Sequence, residues 1–195
     1  DRLHLEAGLR FDWVLNKPVE NDPTSSIGNI RERSFPALSS SFAAIYSLGK
    51  GFSAGTSLLH SFRAPSLEEL YSEGPHLASY SFEVGNPDLD PERGLAKELF
   101  LRYQSEKATA ETALFHNGFD NYLYARDTGQ RNNSRPDLNN YQFVGTEAIL
   151  YGAEFSGELQ FLTNFVIDLS MSYTIAERKV PEQEQANSGI NSDTR

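Results

Sequence analysis

Apolar and polar side chains alternate over long stretches of this chain. Between Leu3 and Leu15 every odd-numbered residue is apolar, and every even-numbered residue is polar or glycine except Val14. The same alternation, complete or weaker, recurs in six further segments: 36–48, 52–63, 95–104, 108–126, 149–161 and 165–176. Two residues is the repeat of a β-strand that has one apolar and one polar face.

The alternating segments predict seven strands, and their length is the informative property. We place them at about 2–15, 34–48, 51–64, 94–105, 108–126, 141–161 and 165–178. Strands in soluble domains usually have about 5 to 6 residues, whereas a tilted strand needs about 9 to 11 residues to cross a bilayer. The sequence therefore predicts an all-β fold, in which these strands form a transmembrane antiparallel β-barrel segment.

Short and long connections alternate between the predicted strands. Tight turns are expected at 48–51, 105–107 and 162–164, and long connections at 16–33, 66–93 and 127–140. Outer-membrane barrels have this arrangement, with short periplasmic turns and long external loops. An open array of seven strands would leave unpaired backbone groups at both edges, which hydrocarbon does not tolerate. We therefore expect that further strands of a larger barrel lie outside this chain.

Composition removes several classes of protein from consideration. The chain carries 17 basic and 27 acidic side chains, a formal net charge of −10, so we expect no nucleic-acid partner. It contains no cysteine, which excludes disulfides and thiol nucleophiles. It also has no apolar run of about 18 residues, the length that a transmembrane helix needs. The internal acids Glu98, Glu154, Glu158 and Asp168 fall on polar faces without a nucleophile pattern, so we expect neither an enzyme nor a resident cofactor.

Three segments occur in a fixed order around the second long connection. They are S61-F-R-A-P-S66, G85-N-P-D-L-D-P-E92 and A96-K-E-L-F-L101. With these segments the chain resembles the TonB-dependent outer-membrane receptors, and the downstream strands A113-L-F-H-N-G-F and Y151-G-A-E-F are similar to strands of the same family. Gly, Pro and Asn also punctuate loops for purely structural reasons, so we expect both loop motifs to be mainly structural.

The resemblance implies a function and a set of partners. Such a receptor lies in the outer membrane of a Gram-negative cell, is surrounded by membrane lipid, and binds a scarce solute at its extracellular loops. The solute would be a siderophore, haem, cobalamin or a metal complex, taken up through a plugged barrel with energy from the inner-membrane TonB system. Residues 1–195 would belong to the barrel domain, and the receptor's own plug domain and its C-terminal strands would lie outside the chain.

The loop at 66–92 holds the candidate ligand-binding residues. E69-L-Y-S-E-G-P-H-L-A78 with F82-E-V-G-N-P87 is similar to receptors associated with zinc or metal-complex uptake. His76 is the candidate metal ligand, because imidazole binds metals and Glu73 lies three residues before it. Tyr71 and Tyr80 flank His76 and would either stack on a ligand or pack the loop. Arg63 would either face an anionic ligand or pair with an acid in the lumen.

Two other functions stay open at this point. A secreted or surface-bound, soluble β-rich binding module would bury the apolar faces against a second sheet, so lipid would not reach them. A passive porin-like channel would share the barrel but would lack a plug domain. If reagents in the lipid phase label the apolar face, the soluble module is excluded. The sequence preceding Asp1 would distinguish a receptor, which encodes a plug domain, from a passive channel, which does not.

Overall fold

The computed structural model describes residues 2–19, 25 and 27–180. In this part of the chain it contains nine strands and one short helix, and none of its helical segments has the length and apolarity to cross a bilayer. The elements are β1 (Leu3–Asn16), β2 (Arg33–Gly49), β3 (Phe52–Arg63), α1 (Leu67–Tyr71), β4 (Glu73–His76), β5 (Ser81–Val84), β6 (Glu92–Gln104), β7 (Ala108–Arg131), β8 (Asn139–Leu162) and β9 (Phe165–Arg178).

The seven long strands form one antiparallel sheet in which each pairs with the next long strand along the chain. The order is β1-β2-β3-β6-β7-β8, and β9 pairs with β8. The two short strands add to the same sheet at the outer end of β8, where β5 runs parallel to residues 139–142 and β4 pairs with β5. The sheet does not close on itself, which agrees with the expectation of a segment from a larger barrel.

The two faces of the sheet differ in polarity as the alternation predicts. Large apolar side chains on one face are exposed, including Phe11 at 64%, Leu169 at 54% and Phe155 at 38%. This apolar face would cost free energy in water, at roughly 25 cal/mol for each Å² left uncovered, and hydrocarbon would remove that cost. The opposite face, here called the polar face, carries residues such as Arg10 and Asp12, which form an ion pair at 2.7 Å.

A small apolar core lies on the polar face near the external end of the sheet. Its buried members are Phe35, Leu70, Leu89 and Leu123, and partly buried side chains pack around them. Val14 is one of these surrounding side chains, which explains why a valine interrupts the polar positions of β1. Leu70 and Leu89 come from the loop between β3 and β6, so this core holds the loop against the sheet.

The predicted strands agree with the observed ones, with one correction at the third long connection. The sequence placed a long loop at 127–140, but β7 continues to Arg131 and β8 begins at Asn139, so the connection is 132–138. Asp127 and Gly129 are residue types that favour loops, but pairing of Arg131 with Asn139 extends the ladder beyond them. The helix α1 and the strands β4 and β5 were not predicted.

Candidate functional site: the outer loop between β3 and β6

The loop begins with a helix of one turn whose start is fixed by a capping box. The Ser66 hydroxyl accepts a hydrogen bond from the Glu69 N–H at 3.1 Å, and the Glu69 carboxylate accepts one from the Ser66 N–H at 2.8 Å. Two donors that a helix start leaves unpaired are satisfied in this way. The helix places Leu70 in the core with no exposed surface. Pro65, just before the helix, is also fully buried, and its carbonyl accepts a hydrogen bond from Asn16 at 2.8 Å.

The G85-N-P-D-L-D-P-E92 segment packs directly on the end of this helix. The Gly85 N–H donates to the Ser72 carbonyl at 2.7 Å, and the Asn86 N–H donates to the Glu69 carbonyl at 2.9 Å. A Cβ at Gly85 would lie 2.6 Å from backbone atoms of Leu70 and Tyr71, so only glycine allows this approach. The two signature segments of the loop therefore contact each other and form one folded unit.

Arginine side chains attach this unit to the neighbouring strands and loop. Arg33, at the start of β2, donates to the carbonyls of Pro87 and Leu89, the second at 2.9 Å. Arg31 pairs with Asp88 at 2.6 Å, and the guanidinium of Arg31 holds the pKa of that carboxyl below its usual range. These contacts join the loop that follows β1 to the loop that follows β3.

Arg63 makes a second attachment at the base of the loop. Its guanidinium pairs with Glu69 at 2.9 Å and with Glu92 at 3.2 Å, so it joins the first helical turn to the first residue of β6. Glu92 also accepts a hydrogen bond from the Leu123 N–H at 3.1 Å. Of the two roles expected for Arg63, this geometry is that of pairing with acids.

The central part of the loop is a hairpin that reaches across the sheet. It consists of β4 and β5, and β5 pairs with the outer end of β8. The loop starts at β3 and ends at β6, and β5 pairs with the edge of β8 opposite to β7, so the loop has to cross the ends of β6, β7 and β8. The loop therefore covers the external end of the polar face.

Near its tip the hairpin holds a connected set of polar side chains, of which Ser81 is buried and His76 is exposed. The Nδ1 atom of His76 lies 2.6 Å from the Ser79 hydroxyl, which lies 2.6 Å from the Ser81 hydroxyl. Ser81 donates to Glu83 at 3.3 Å, and Glu83 lies 3.5 Å from His76 Nδ1. His76 stands opposite Ser81 in the register, so both side chains project from one face of the hairpin.

Two large side chains beside this polar set are open to solvent. Leu77 is 66% exposed and Tyr80 is 79% exposed. Tyr80 has a φ of 51°, a left-handed conformation that is unfavourable for a tyrosine, and its N–H donates to the Leu77 carbonyl at 3.4 Å. The tip thus combines an imidazole, a carboxylate and an exposed aromatic ring.

The five candidate residues divide into two groups in the structure. Arg63, Tyr71 and Glu73 lie in the folded part of the loop, where each has a protein partner: Tyr71 packs against the core and donates to the Arg31 carbonyl, and Glu73 accepts a hydrogen bond from Ser25 at 2.7 Å. Burial raises the pKa of the Tyr71 phenol. His76 and Tyr80 lie at the tip.

The carboxylate near His76 is Glu83 and not Glu73. Glu73 and His76 stand at opposite ends of β4 and three positions apart, so their side chains project from opposite faces of the strand. Gly74 faces Glu83 in the register and has no side chain to separate Glu83 from His76. Among the described residues there is no group of three or more His, Asp or Glu side chains placed to hold a metal ion.

Sequence reasoning missed Glu83, Arg33 and Glu69 as parts of this region. The spacing of Ser66 and Glu69 is the signal of a capping box and was available. Glu83 becomes a neighbour of His76 only through the pairing of β4 with β5, and Arg33 meets the loop only through the sheet order. Neither contact leaves a signal in the local sequence.

The family model described as "TonB dependent receptor-like, beta-barrel" matches residues 1–194. The chain therefore belongs to the TonB-dependent receptor family and forms part of an outer-membrane β-barrel. A curated relative, the iron-regulated outer membrane virulence protein of Vibrio cholerae, is 31% identical over 125 residues, which are 60% of this chain and 19% of the relative. The chain thus spans about a fifth of the length of the curated relatives it matches.

Solved structures of similar fold are receptors and transporters. The copper transporter OprC matches with a TM-score of 0.69 at 20% identity, covering 91% of this chain and 26% of that protein. The Serratia marcescens hemophore receptor HasR matches with a TM-score of 0.68 at 22% identity, covering 89% and 32%. The siderophore receptor PirA of Pseudomonas aeruginosa matches with a TM-score of 0.63 at 22% identity, covering 76% and 30%. At these identities the likeness establishes the fold.

Proposed function

We propose that the parent protein is a receptor that binds a scarce solute at its external loops and takes it up through a plugged barrel with energy supplied by the TonB system. Membership of the receptor family supports the proposal, as do relatives described as transporters of copper and receptors of a hemophore and a siderophore. The candidate solutes are the same as those expected from the sequence: a siderophore, haem, cobalamin or a metal complex.

The single observation that carries the proposal is the division of the loop into a fixed base and an exposed tip. The base is attached by Arg63 to Glu69 and Glu92, and by Arg33 to two carbonyls. Because the base is already ordered, the loop loses less conformational entropy when its tip binds a solute than a fully mobile loop would lose.

We assign the contact with the solute to His76 and Tyr80 at the tip, with Glu83 beside them. Imidazole and carboxylate can bind a metal complex or donate to and accept from a polar ligand, and an exposed tyrosine ring supplies a flat apolar surface with a polar end. Arg63, Tyr71 and Glu73 would position the loop. Assignment to the zinc or metal-complex subgroup remains a proposal that rests on the resemblance of residues 69–87.

The experiment uses the complete receptor in cells that lack it otherwise. Each solute class is supplied in turn as the limiting nutrient, and binding to the purified receptor is then measured for the solute that supports growth. His76→Ala and Tyr80→Ala should each weaken binding about tenfold or more, because a hydrogen bond to a charged group contributes about 1.5–3 kcal/mol. His4→Ala, on the polar face of β1 near the opposite end of the sheet, is the matched control and should bind as the unaltered receptor does. Equal binding by all three variants would refute the assigned contacts.

The two alternatives make different predictions for the same cells. Uptake by a receptor saturates with solute and stops when the proton-motive force is collapsed, whereas uptake through a passive channel does neither. A soluble β-rich binding module would leave the parent protein in solution without detergent. Non-saturating uptake that persists without the proton-motive force would refute energy coupling, and a detergent-free monomeric parent would refute the barrel.

A further inference from the structure

The ladder between β6 and β7 stops where the outer loop enters β6. Its last pair joins Arg93 to Asp120, and β7 continues to Arg131 paired with β8. Asp90 and Pro91, which precede β6, lie outside the strands, and proline has no N–H to offer to a ladder. Beyond this pair, β7 therefore keeps its partner β8 but loses β6.

Two side chains take the place of the ladder that ends here. The amide of Asn121 donates to the Asp90 carbonyl at 2.5 Å and to the Pro91 carbonyl at 3.4 Å. The Glu92 carboxylate accepts a hydrogen bond from the Leu123 N–H at 3.1 Å. The last residues of the outer loop are thus attached to β7 by side chains, in continuation of the backbone ladder below them.

Asn121 is also part of a β-bulge in β7. Phe119 pairs with Ala148. The next pair joins Tyr122 to Thr146, so two residues of β7 stand opposite one residue of β8. Asn121 has a φ of 61°, a left-handed conformation that asparagine adopts more readily than most side chains do. Because a bulge bends its strand and increases the local twist, this one sets the direction in which β7 and β8 continue beyond it.

Gly145 of β8 leaves the space that the Asn121 amide occupies. A Cβ at Gly145 would lie 2.5 Å from the Cγ atom and 3.0 Å from the Nδ2 atom of Asn121, whereas ordinary contact begins at 3.4 Å. Even alanine at this position would therefore displace the amide from the carbonyls of Asp90 and Pro91. The Asn121 amide, the space at Gly145 and these two carbonyls are here called the bulge contact.

The part of β7 and β8 beyond the bulge carries the tip of the outer loop. β5 pairs with residues 139–142 of β8, and β4, which ends at His76, pairs with β5. The stretch of β8 from Gly145 to Asn139 is about 20 Å long at about 3.3 Å per residue, so a change of about 10° in direction at the bulge moves its far end by about 3.5 Å. Such a movement exceeds the range of distances over which a hydrogen bond forms.

We propose that Asn121 is a positioning residue for the solute-binding tip. Its amide fixes the end of the loop to β7, and its left-handed backbone gives β7 and β8 the direction that carries His76 and Tyr80 to their place. The inference rests on the proposed function, because it assumes that the tip binds the solute. Asn121 acts through the hairpin and does not itself contact the solute, so it should determine the affinity of binding and leave the later passage through the barrel unchanged.

Four variants separate the parts of the bulge contact. Asn121→Asp keeps the size of the side chain and tolerates a left-handed backbone, but its carboxylate cannot donate to the two carbonyls. Gly145→Ala displaces the amide and leaves Asn121 itself unaltered. In Asn121→Gly there is no amide to displace, so adding Gly145→Ala should have no further effect. Asn117→Asp, the same substitution in a regular stretch of the same strand, is the matched control.

The position of the tip is measured between two spin labels in the complete receptor in lipid bilayers. The labels replace Leu77 at the tip and Leu99 in the middle of β6, which are 66% and 60% exposed. The distance distribution should be narrow in the unaltered receptor and in Asn117→Asp, and should shift or broaden by about 3 Å in Asn121→Asp and in Gly145→Ala. An unchanged distribution in Asn121→Asp, an equal change in the control, or a full additional effect of Gly145→Ala in Asn121→Gly would overturn the proposal. Heat-modifiable migration shows that each barrel has folded.

Uptake kinetics in cells test the consequence for the solute. The probes are a ferric catecholate siderophore, haemin, cyanocobalamin and zinc chloride. For the probe that the receptor takes up, KM should rise about tenfold in Asn121→Asp, which corresponds to about 1.4 kcal/mol or one hydrogen bond, while the maximal rate stays within twofold. A lower maximal rate at unchanged KM would overturn the positioning role. Uptake of none of the probes would refute the proposed function, and the distance measurement would then decide alone whether Asn121 sets the position of the tip.

Discussion

Gly85→Ala should release the outer loop from its folded base, because the loop packs backbone against backbone at this position. The new Cβ would lie 2.6 Å from the C and O atoms of Leu70 and the N atom of Tyr71, whereas ordinary contact begins at 3.4 Å. None of the three atoms belongs to a flexible side chain, so the helix end and the Gly85 turn must separate by about 0.8 Å. That movement strains the hydrogen bonds from Gly85 to Ser72 and from Asn86 to Glu69.

The expected cost follows from overpacking and from the strained hydrogen bonds. Inserting a methyl group into a packed site costs about 1–3 kcal/mol. A value of about 2 kcal/mol raises the population of the open loop about 30-fold. The loop opens locally while the strands keep their ladder, so the effect should be confined to the loop.

Hydrogen exchange of the complete receptor, followed by mass spectrometry, measures this effect. Peptides that cover 66–72 and 85–92 should exchange about 30-fold faster in Gly85→Ala, and a peptide within β6 should be unchanged. Gly74→Ala is the matched control, because a Cβ at Gly74 meets nothing within 4 Å in the same loop. The close-contact explanation would be refuted if Gly85→Ala exchanged like the unaltered receptor, or if Gly74→Ala loosened the loop equally.

Three further perturbations test the same loop. Leu70→Ala should destabilise the folded loop by about 2–5 kcal/mol, because Leu70 is fully buried. Leu77 is 66% exposed, so Leu77→Ala should change loop stability by less than about 0.5 kcal/mol. Equal hydrogen-exchange rates in the two variants would contradict the role of Leu70 in the core. Arg63→Gln should weaken the attachment of the loop base by only about 1 kcal/mol, because the Arg63 side chain is 43% exposed and its charge is screened by salt. The difference from the unaltered receptor should shrink in 1 M salt, and a salt-independent difference would argue against an ion pair. The Arg31–Asp88 contact should be fully present above the ordinary pKa of an aspartate, about 3.9, and be lost as the pH falls through the lowered pKa of Asp88. The titration midpoint of the Asp88 carboxyl, followed by its chemical shift, should therefore lie below that ordinary value in the unaltered receptor and rise in Arg31→Gln. An unshifted midpoint would contradict the pairing.

The strands could be predicted because their physical cause is repeated at every second residue. Each of the seven long strands repeats the alternation of apolar and polar residues many times. The predicted end of β9 at residue 178 is also the observed end. The end of β7 was predicted too early, because pairing between Arg131 and Asn139 offsets the loop preference of the intervening polar residues. The preference of the local sequence for a loop determines where a strand ends only if the partner strand ends there as well.

The loop was less predictable because its structure depends on contacts between distant residues. The helix α1 spans Leu67–Tyr71, too short to show a helical repeat, and the strands β4 and β5 have four residues each. The parallel pairing of β5 with β8 joins residues about 58 apart in sequence, such as Ser81 and Asn139. The motif glycine at Gly85 was recognised from the family resemblance, but its physical reason, the backbone of Leu70, appears only in the fold.

The central claim is that hydrocarbon covers the apolar face of these strands. The chain contains no cysteine, so a single cysteine at Leu169 or at Asp168 can carry a spin label without a competing site in this segment. In the complete receptor in lipid bilayers, collision with oxygen, which concentrates in lipid, should exceed collision with a water-soluble nickel chelate at residue 169 and fall below it at residue 168. Water-like accessibility at both positions, or protection from both reagents at residue 169, would contradict the account.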